Sequence, residues 1–203
     1  MKIGFDFDNT IVSYDTLFHK VALEKELIPA DLPASKGRVR DYLREIDRED
    51  DWTEMQGYVY GLRMSQEADA YPGVLDFFRE IKAKGIPFCI VSHKTKHPFM
   101  GEKYDLHAAA RGWLESRQFF EAGAGIDIGN ENVFFELTKE DKMKRIAAEG
   151  CTHFIDDLPE FLGLDAFPPV TRILFDPTNR HGAETRFVRK NSWSEISAYF
   201  ASA

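Results

Sequence analysis

Only two cysteines, Cys89 and Cys151, occur in 203 residues, and each sits within or beside an apolar run. Two thiols so far apart in sequence, with no secretory start, read as core fillers rather than a disulfide. The chain shows no basic start leading into an apolar signal region. It also has no apolar run approaching the ~20 residues that cross a bilayer. The cytoplasm is the expected compartment. Positive charge is scarce: 34 acids stand against 26 bases, a formal net charge of -8, which disfavours adhesion to nucleic acid or an anionic membrane surface. Heptads, internal repeats and low-complexity tracts are absent, which removes coiled coils and solenoids. The glycine-rich stretch EAGAGIDIGNEN (121–132) lacks the spacing of a P-loop or a dinucleotide fingerprint and reads as a plain loop.

What is present is an ordinary globular balance, 43% hydrophobic and 30% charged, in a chain long enough for one core plus a small accessory domain. Short apolar runs recur as KIGFDF (2–7), IPFCIVS (86–92), NVFFEL (132–137), THFIDD (152–157) and TRILFD (171–176). They show little alternation, as strands buried on both faces do. Helical patterns separate them. GVLDFFREIKAKG (73–85) has a broad apolar face and stops at a glycine. TKEDKMKRIAAEG (138–150) opens with Thr138 and Asp141 at capping-box spacing. The expected fold is α/β, a doubly wound parallel sheet. Residues 13–70 break the rhythm, with helix-like patterns and no convincing strand. They read as a small helical insertion, leaving 1–12 and 71–203 as the core.

In such a sheet, functional groups gather at the carboxyl ends of the strands. The first strand ends in Asp6, Asp8 and Thr10, the second in Ser92, and the run at 152–157 in Asp156 and Asp157. Lys139 starts the helix after the third run, with Lys142 one turn further on. Clustered carboxylates repel one another unless a cation intervenes, and hard oxygen donors suit Mg2+. A hydroxyl and an ammonium beside that metal meet the needs of a transferring phosphoryl group. One carboxylate in line with phosphorus can attack it, and a second can shuttle the proton. His93, Lys94 and Tyr14 are candidate substrate contacts. His93 and His97 have i, i+4 spacing, but Pro98 and the lack of a third ligand argue against zinc. Arg38, Arg40, Arg44 and Arg63 have acids at helical pair spacing and read mostly as surface charges.

DFDNT, an apolar strand ending in Ser92, a helix-starting lysine and FIDD resemble, in order, the four motifs of the haloacid dehalogenase (HAD) superfamily. The resemblance spans residues 1 to about 176. It implies a Rossmann-like core with a small helical cap at 13–70. It also implies that Asp6 is the nucleophile and Asp8 the general acid/base, and that Thr10, Ser92 and a lysine bind the phosphoryl group. Lys139 is the expected lysine and Lys142 the alternative. Mg2+ would be held by Asp6, Asp156 and the backbone carbonyl of Asp8, with Asp157 supporting it through water. The activity implied is a Mg2+-dependent phosphomonoester hydrolase acting on a small phosphorylated metabolite. A phosphotransferase, phosphomutase or nucleotidase of the same superfamily is the alternative. From another class, a receiver-like or noncatalytic phosphoryl-binding module would gather similar groups, although a receiver presents them in a different strand order.

Overall fold

The computed structural model describes residues 1–201. In chain order its elements are β1 (Ile3–Phe5), β2 (Val12–Ser13), α1 (Asp15–Glu24), α2 (Lys36–Glu45), α3 (Glu49–Tyr58), α4 (Met64–Glu67) and β3 (Asp69–Ala70). There follow α5 (Val74–Ala83), β4 (Phe88–His93), α6 (Leu106–Ser116), β5 (Val133–Glu136), α7 (Lys139–Ala148) and β6 (His153–Asp156). The chain closes with α8 (Pro159–Leu162), β7 (Thr171–Phe175), β8 (Val188–Lys190) and α9 (Trp193–Ala201). Two compact units result: Met1–Val12 with Ala70–Lys94 and Gln118–Ala203, and Ser13–Asp69 with Thr95–Arg117.

The first unit is built on a six-stranded, all-parallel sheet in the order β5-β4-β1-β6-β7-β8. Counted along the chain this is the doubly wound order 3-2-1-4-5-6 and not the 2-1-3-4-5 order of receiver-type folds. The winding reverses between β1 and β6, where Phe5 pairs with Ile155. β1 is buried along its whole length because both faces are covered. On one face Phe5 packs against Phe77 and Phe78 of α5 and Trp193 of α9, with ring centroids 4.7 to 6.1 Å apart. On the other, Cys89, Val91, Phe154 and Leu174 pack with Ile146 of α7 and with Phe161 and Leu162 of α8. Cys89 and Cys151 are free, buried thiols, yet the fold brings their sulfurs 3.6 Å apart.

Local chemistry sets the helix ends that matter for the site. Thr138 caps α7, its Oγ1 accepting the backbone N–H of Asp141 at 3.0 Å, as the capping-box spacing predicts. β8 was not foreseen. Its residues, Val188–Lys190, are short, half-buried and charge-rich, so no apolar run announces this edge strand.

The second unit is helical, with Leu17, Phe18, Val21, Val39, Leu43, Trp52, Met55, Trp113 and Leu114 in its interior. It takes in Thr95–Arg117, which the sequence pattern alone assigns to the core. Two glycines one helical turn apart make this packing possible. A Cβ at Gly57 would lie 2.8 Å from Pro98 Cβ, and one at Gly61 only 2.2 Å from Tyr104 Cβ, so only glycine admits the returning segment. Trp113 then donates its Nε1–H to the Ala68 carbonyl at 2.8 Å. The strands at 12–13 and 69–70, too short to show a period of two, pair as a ribbon where no strand was expected. Among the described residues, no helix is long and apolar enough to cross a membrane.

Candidate active site

The site grows out of the turn that follows β1. Asp6 extends the parallel ladder, its N–H reaching the Ile155 carbonyl at 2.9 Å. Phe7 is fully buried against Phe135 and its carbonyl accepts from both Ile11 and Val12 N–H. Asn9 makes this tight turn with φ of 56°, a left-handed conformation that asparagine tolerates better than most residues. Anchoring Phe7 leaves Asp6 and Asp8 to emerge at the carboxyl edge, next to the point where the winding reverses.

Two further strands and a helix deliver the groups around Asp6. Ser92, at the end of β4, donates its hydroxyl to Asp6 Oδ1 at 2.9 Å. Lys142, one turn into α7, places Nζ 2.6 Å from Asp6 Oδ1 and 2.6 Å from Asp156 Oδ2. The same ammonium lies 4.2 Å from the centroid of the Phe161 ring. The second oxygen of Asp156 accepts the Leu158 N–H at 2.9 Å, which fixes this carboxylate on both sides. On the other flank Lys94 Nζ meets Asp8 Oδ2 at 2.7 Å. Thr10 is fully buried, and its hydroxyl finds no hydrogen-bond partner among the described residues.

Charge decides what this cluster can hold. Asp6, Asp156 and Asp157 each bring a carboxylate oxygen within 4.8 Å of the others. With Asp8, four carboxylates face the two ammonium groups of Lys94 and Lys142. Neutrality needs two more positive charges, and the donors are all hard oxygens, so the residues fit one divalent cation of the Mg2+ type. Without it, burial, reinforced by the neighbouring Asp156 and Asp8, pushes the Asp6 carboxyl up to about 7 against the pull of Lys142. Burial draws the Lys142 ammonium down, but Asp156 and Asp6 outweigh it and hold it above its ordinary value.

A stability experiment follows from Asp6. Its folded value lies above the 3.8 of the free group, so the native state keeps a proton that the unfolded chain has lost. That contribution is full below 3.8 and is lost as pH rises to about 7. In chelator, the melting temperature of Asp6→Asn is expected to gain on wild type across that window, and added Mg2+ to narrow the gap. A difference that is flat with pH contradicts the burial of this charge.

The fold thus brings together Asp6, Asp8, Ser92, Lys142, Asp156 and Asp157. Lys139 is not part of the group. It is exposed at the first position of α7, and Lys142, the alternative, is the lysine at the carboxylates. Helical side chains lean toward the N-terminus. A lysine one turn inside therefore reaches back to the sheet edge, whereas one at the first position overshoots it. Lys142 also lies four residues before the buried Ile146, a sequence signal for its inward face. Lys94 was expected only as a substrate contact, and its pairing with Asp8 was not foreseen. Its position two residues after Ser92 on extended backbone puts both on one side, with His93 on the other, its Nε2 3.1 Å from the Leu137 carbonyl. Tyr14 is buried inside the second unit, its ring 5.0 Å from that of Tyr60. Three of the four arginines considered are paired there, Arg40 with Asp41, Arg44 with Glu49, and Arg63 with Glu24 and Glu67.

The domain is doubly wound α/β, with acids, a hydroxyl and a lysine converging at its reversal point. Its fold is that of the HAD-superfamily hydrolases. The structure matches a HAD-superfamily hydrolase from Ehrlichia chaffeensis with a TM-score of 0.55 at 14% identity, covering 99% of this chain and 96% of the other. It matches a HAD family hydrolase from Deinococcus radiodurans, whose crystal structure contains phosphate and sodium, with a TM-score of 0.57 at 16% identity, over 99% and 95% of the two chains. A phosphoserine phosphohydrolase-like protein from Francisella tularensis gives 0.56 at 14% identity, over 98% and 99%. No family model and no curated protein matches the sequence.

Proposed function

We propose that the protein is a Mg2+-dependent phosphomonoester hydrolase that acts on a small phosphorylated metabolite through a phosphorylated Asp6. One observation carries the reading: a single buried carboxylate, Asp6, accepts from both Ser92 and Lys142 through Oδ1 within a cluster of acids suited to a divalent cation. The two donors fix the carboxylate, so its attack on phosphorus needs little reorientation. Asp6 forms the new O–P bond as the ester O–P bond breaks, and Asp8, which takes up a proton as the substrate binds, gives that proton to the leaving oxygen and is left as a carboxylate. Asp8 then takes a proton from water as that water attacks phosphorus, and phosphate departs from a regenerated Asp6. Lys142 Nζ, with a further N–H, would donate to a phosphoryl oxygen, Ser92 Oγ would do so on turning from Asp6, and the unpartnered hydroxyl of Thr10 would be a third donor at the same turn. Mg2+, held by Asp6, Asp156, Asp157 and the Asp8 carbonyl, would offset the negative charge of phosphate against that of the acids.

The phosphatase names among the fold relatives and the phosphate in one of them agree with this reading. The net charge of -8 favours a small substrate over a nucleic acid. The experiment is phosphate release from a panel of small sugar, nucleotide and amino-alcohol phosphates with Mg2+ and with chelator. Release from at least one of them, abolished by chelator and restored by Mg2+, is expected. Turnover that survives chelation contradicts the metal's role.

A further inference from the structure

Lys94 is 5% exposed, and a buried ammonium costs several kcal/mol unless a carboxylate compensates it. Its backbone is tied to the sheet, the Lys94 N–H donating to the Glu136 carbonyl at 2.9 Å. Its stem runs past Phe7, with Nζ 5.8 Å from the ring centroid. Nζ then meets Asp8 Oδ2 at 2.7 Å. Asp8 is the less enclosed of the two first-motif acids, its side chain 22% exposed against 8% for Asp6. Asp6 is oriented by Ser92 and Lys142. The site holds two buried lysines, Lys142 on Asp6 and Asp156, and Lys94 on Asp8.

We propose that Lys94 is a positioning residue for Asp8: its ammonium, anchored by the sheet edge and Phe7, holds the Asp8 carboxylate in one orientation for proton transfer. This deepens the phosphohydrolase reading and rests on it. A carboxylate free to rotate spends part of its time turned away from the leaving oxygen, and a misplacement of about 1 Å can cost ~100-fold in rate. Lys94 does its work through Asp8, so its loss lowers kcat and leaves substrate affinity largely intact.

The test is a double-mutant cycle on the full-length protein with Mg2+ and the best phosphomonoester from the panel. Lys94→Met keeps the stem over Phe7 and removes the charge. It is expected to lower kcat by roughly 100-fold with KM nearly unchanged. In the Asp8→Asn background the same substitution is expected to do almost nothing more, since the carboxylate it positions is gone. Additive losses, or a raised KM with kcat intact, overturn the proposal and make Lys94 a substrate grip. If Lys94→Met merely unfolds the protein, its melting temperature and circular dichroism reveal it, and Lys94→Arg is read instead: a kcat above that of Asp8→Asn supports the proposal, and one equal to it overturns it. A wild-type protein that releases no phosphate from any ester removes the phosphohydrolase reading itself. An active wild type with additive losses removes only the role of Lys94.

Discussion

Replacing Asp6 with asparagine is expected to reduce phosphate release by about ten-thousandfold or more while the protein stays folded. The substitution preserves size and keeps an oxygen for the Ser92 hydroxyl, which now lies 2.9 Å from Oδ1. It removes the charge that makes the group a nucleophile. It also removes a buried carboxylate whose ionisation burial opposes, so the fold gains rather than loses from it near neutral pH. Steady-state release together with the melting temperature checks both halves of this expectation. An Asp6→Asn protein that turns over at the wild-type rate contradicts the assignment of the nucleophile.

Lys142→Met carries the second large effect, and it falls on stability as well as rate. The ammonium is 3% exposed and bridges Asp6 and Asp156 at 2.6 Å each. Methionine can keep the contact with Phe161 but leaves two buried acids facing each other without compensation. Breaking a buried ion pair in this way typically costs about 3–5 kcal/mol, and turnover should fall by about 100-fold or more as the phosphoryl oxygens lose a donor. Lys139→Met is the control: the side chain is exposed, and neither the melting temperature nor the rate should change appreciably. Chemical denaturation and phosphate release measured on the two variants together decide between the lysines. Equal behaviour of the two contradicts the geometry.

Much of this was readable from the chain because local and global signals agree. The five apolar runs became five of the six strands in the sheet, since buried parallel strands carry near-continuous hydrophobic residues. The acids of the first and fourth motifs end the two strands that flank the reversal, where a doubly wound sheet takes its ligand. The failures are equally physical. β8 is a three-residue edge strand, and half-buried edges carry no strong pattern. A place at the helix start points to Lys139, whereas the lean of helical side chains toward the N-terminus favours Lys142 at the carboxylates. The segment 95–117 joined the second unit because Gly57 and Gly61 admit Pro98 and Tyr104 at close range, a long-range fit that composition does not reveal. The Lys94–Asp8 pair links residues 86 apart in sequence, and only the register between β1 and β4 brings them together.

The central claim is that Asp6 carries the phosphoryl group during turnover. Rapid acid quench of the protein with an excess of its phosphomonoester, followed by peptide mass mapping, tests it most directly. The account predicts that the peptide containing Asp6 gains the mass of one phosphoryl group, and that the gain is absent in Asp6→Asn. It also predicts a larger gain in a variant such as Asp8→Asn, if breakdown is slowed more than formation. An active wild-type protein whose Asp6 peptide never gains that mass, or whose label sits on another residue, contradicts it.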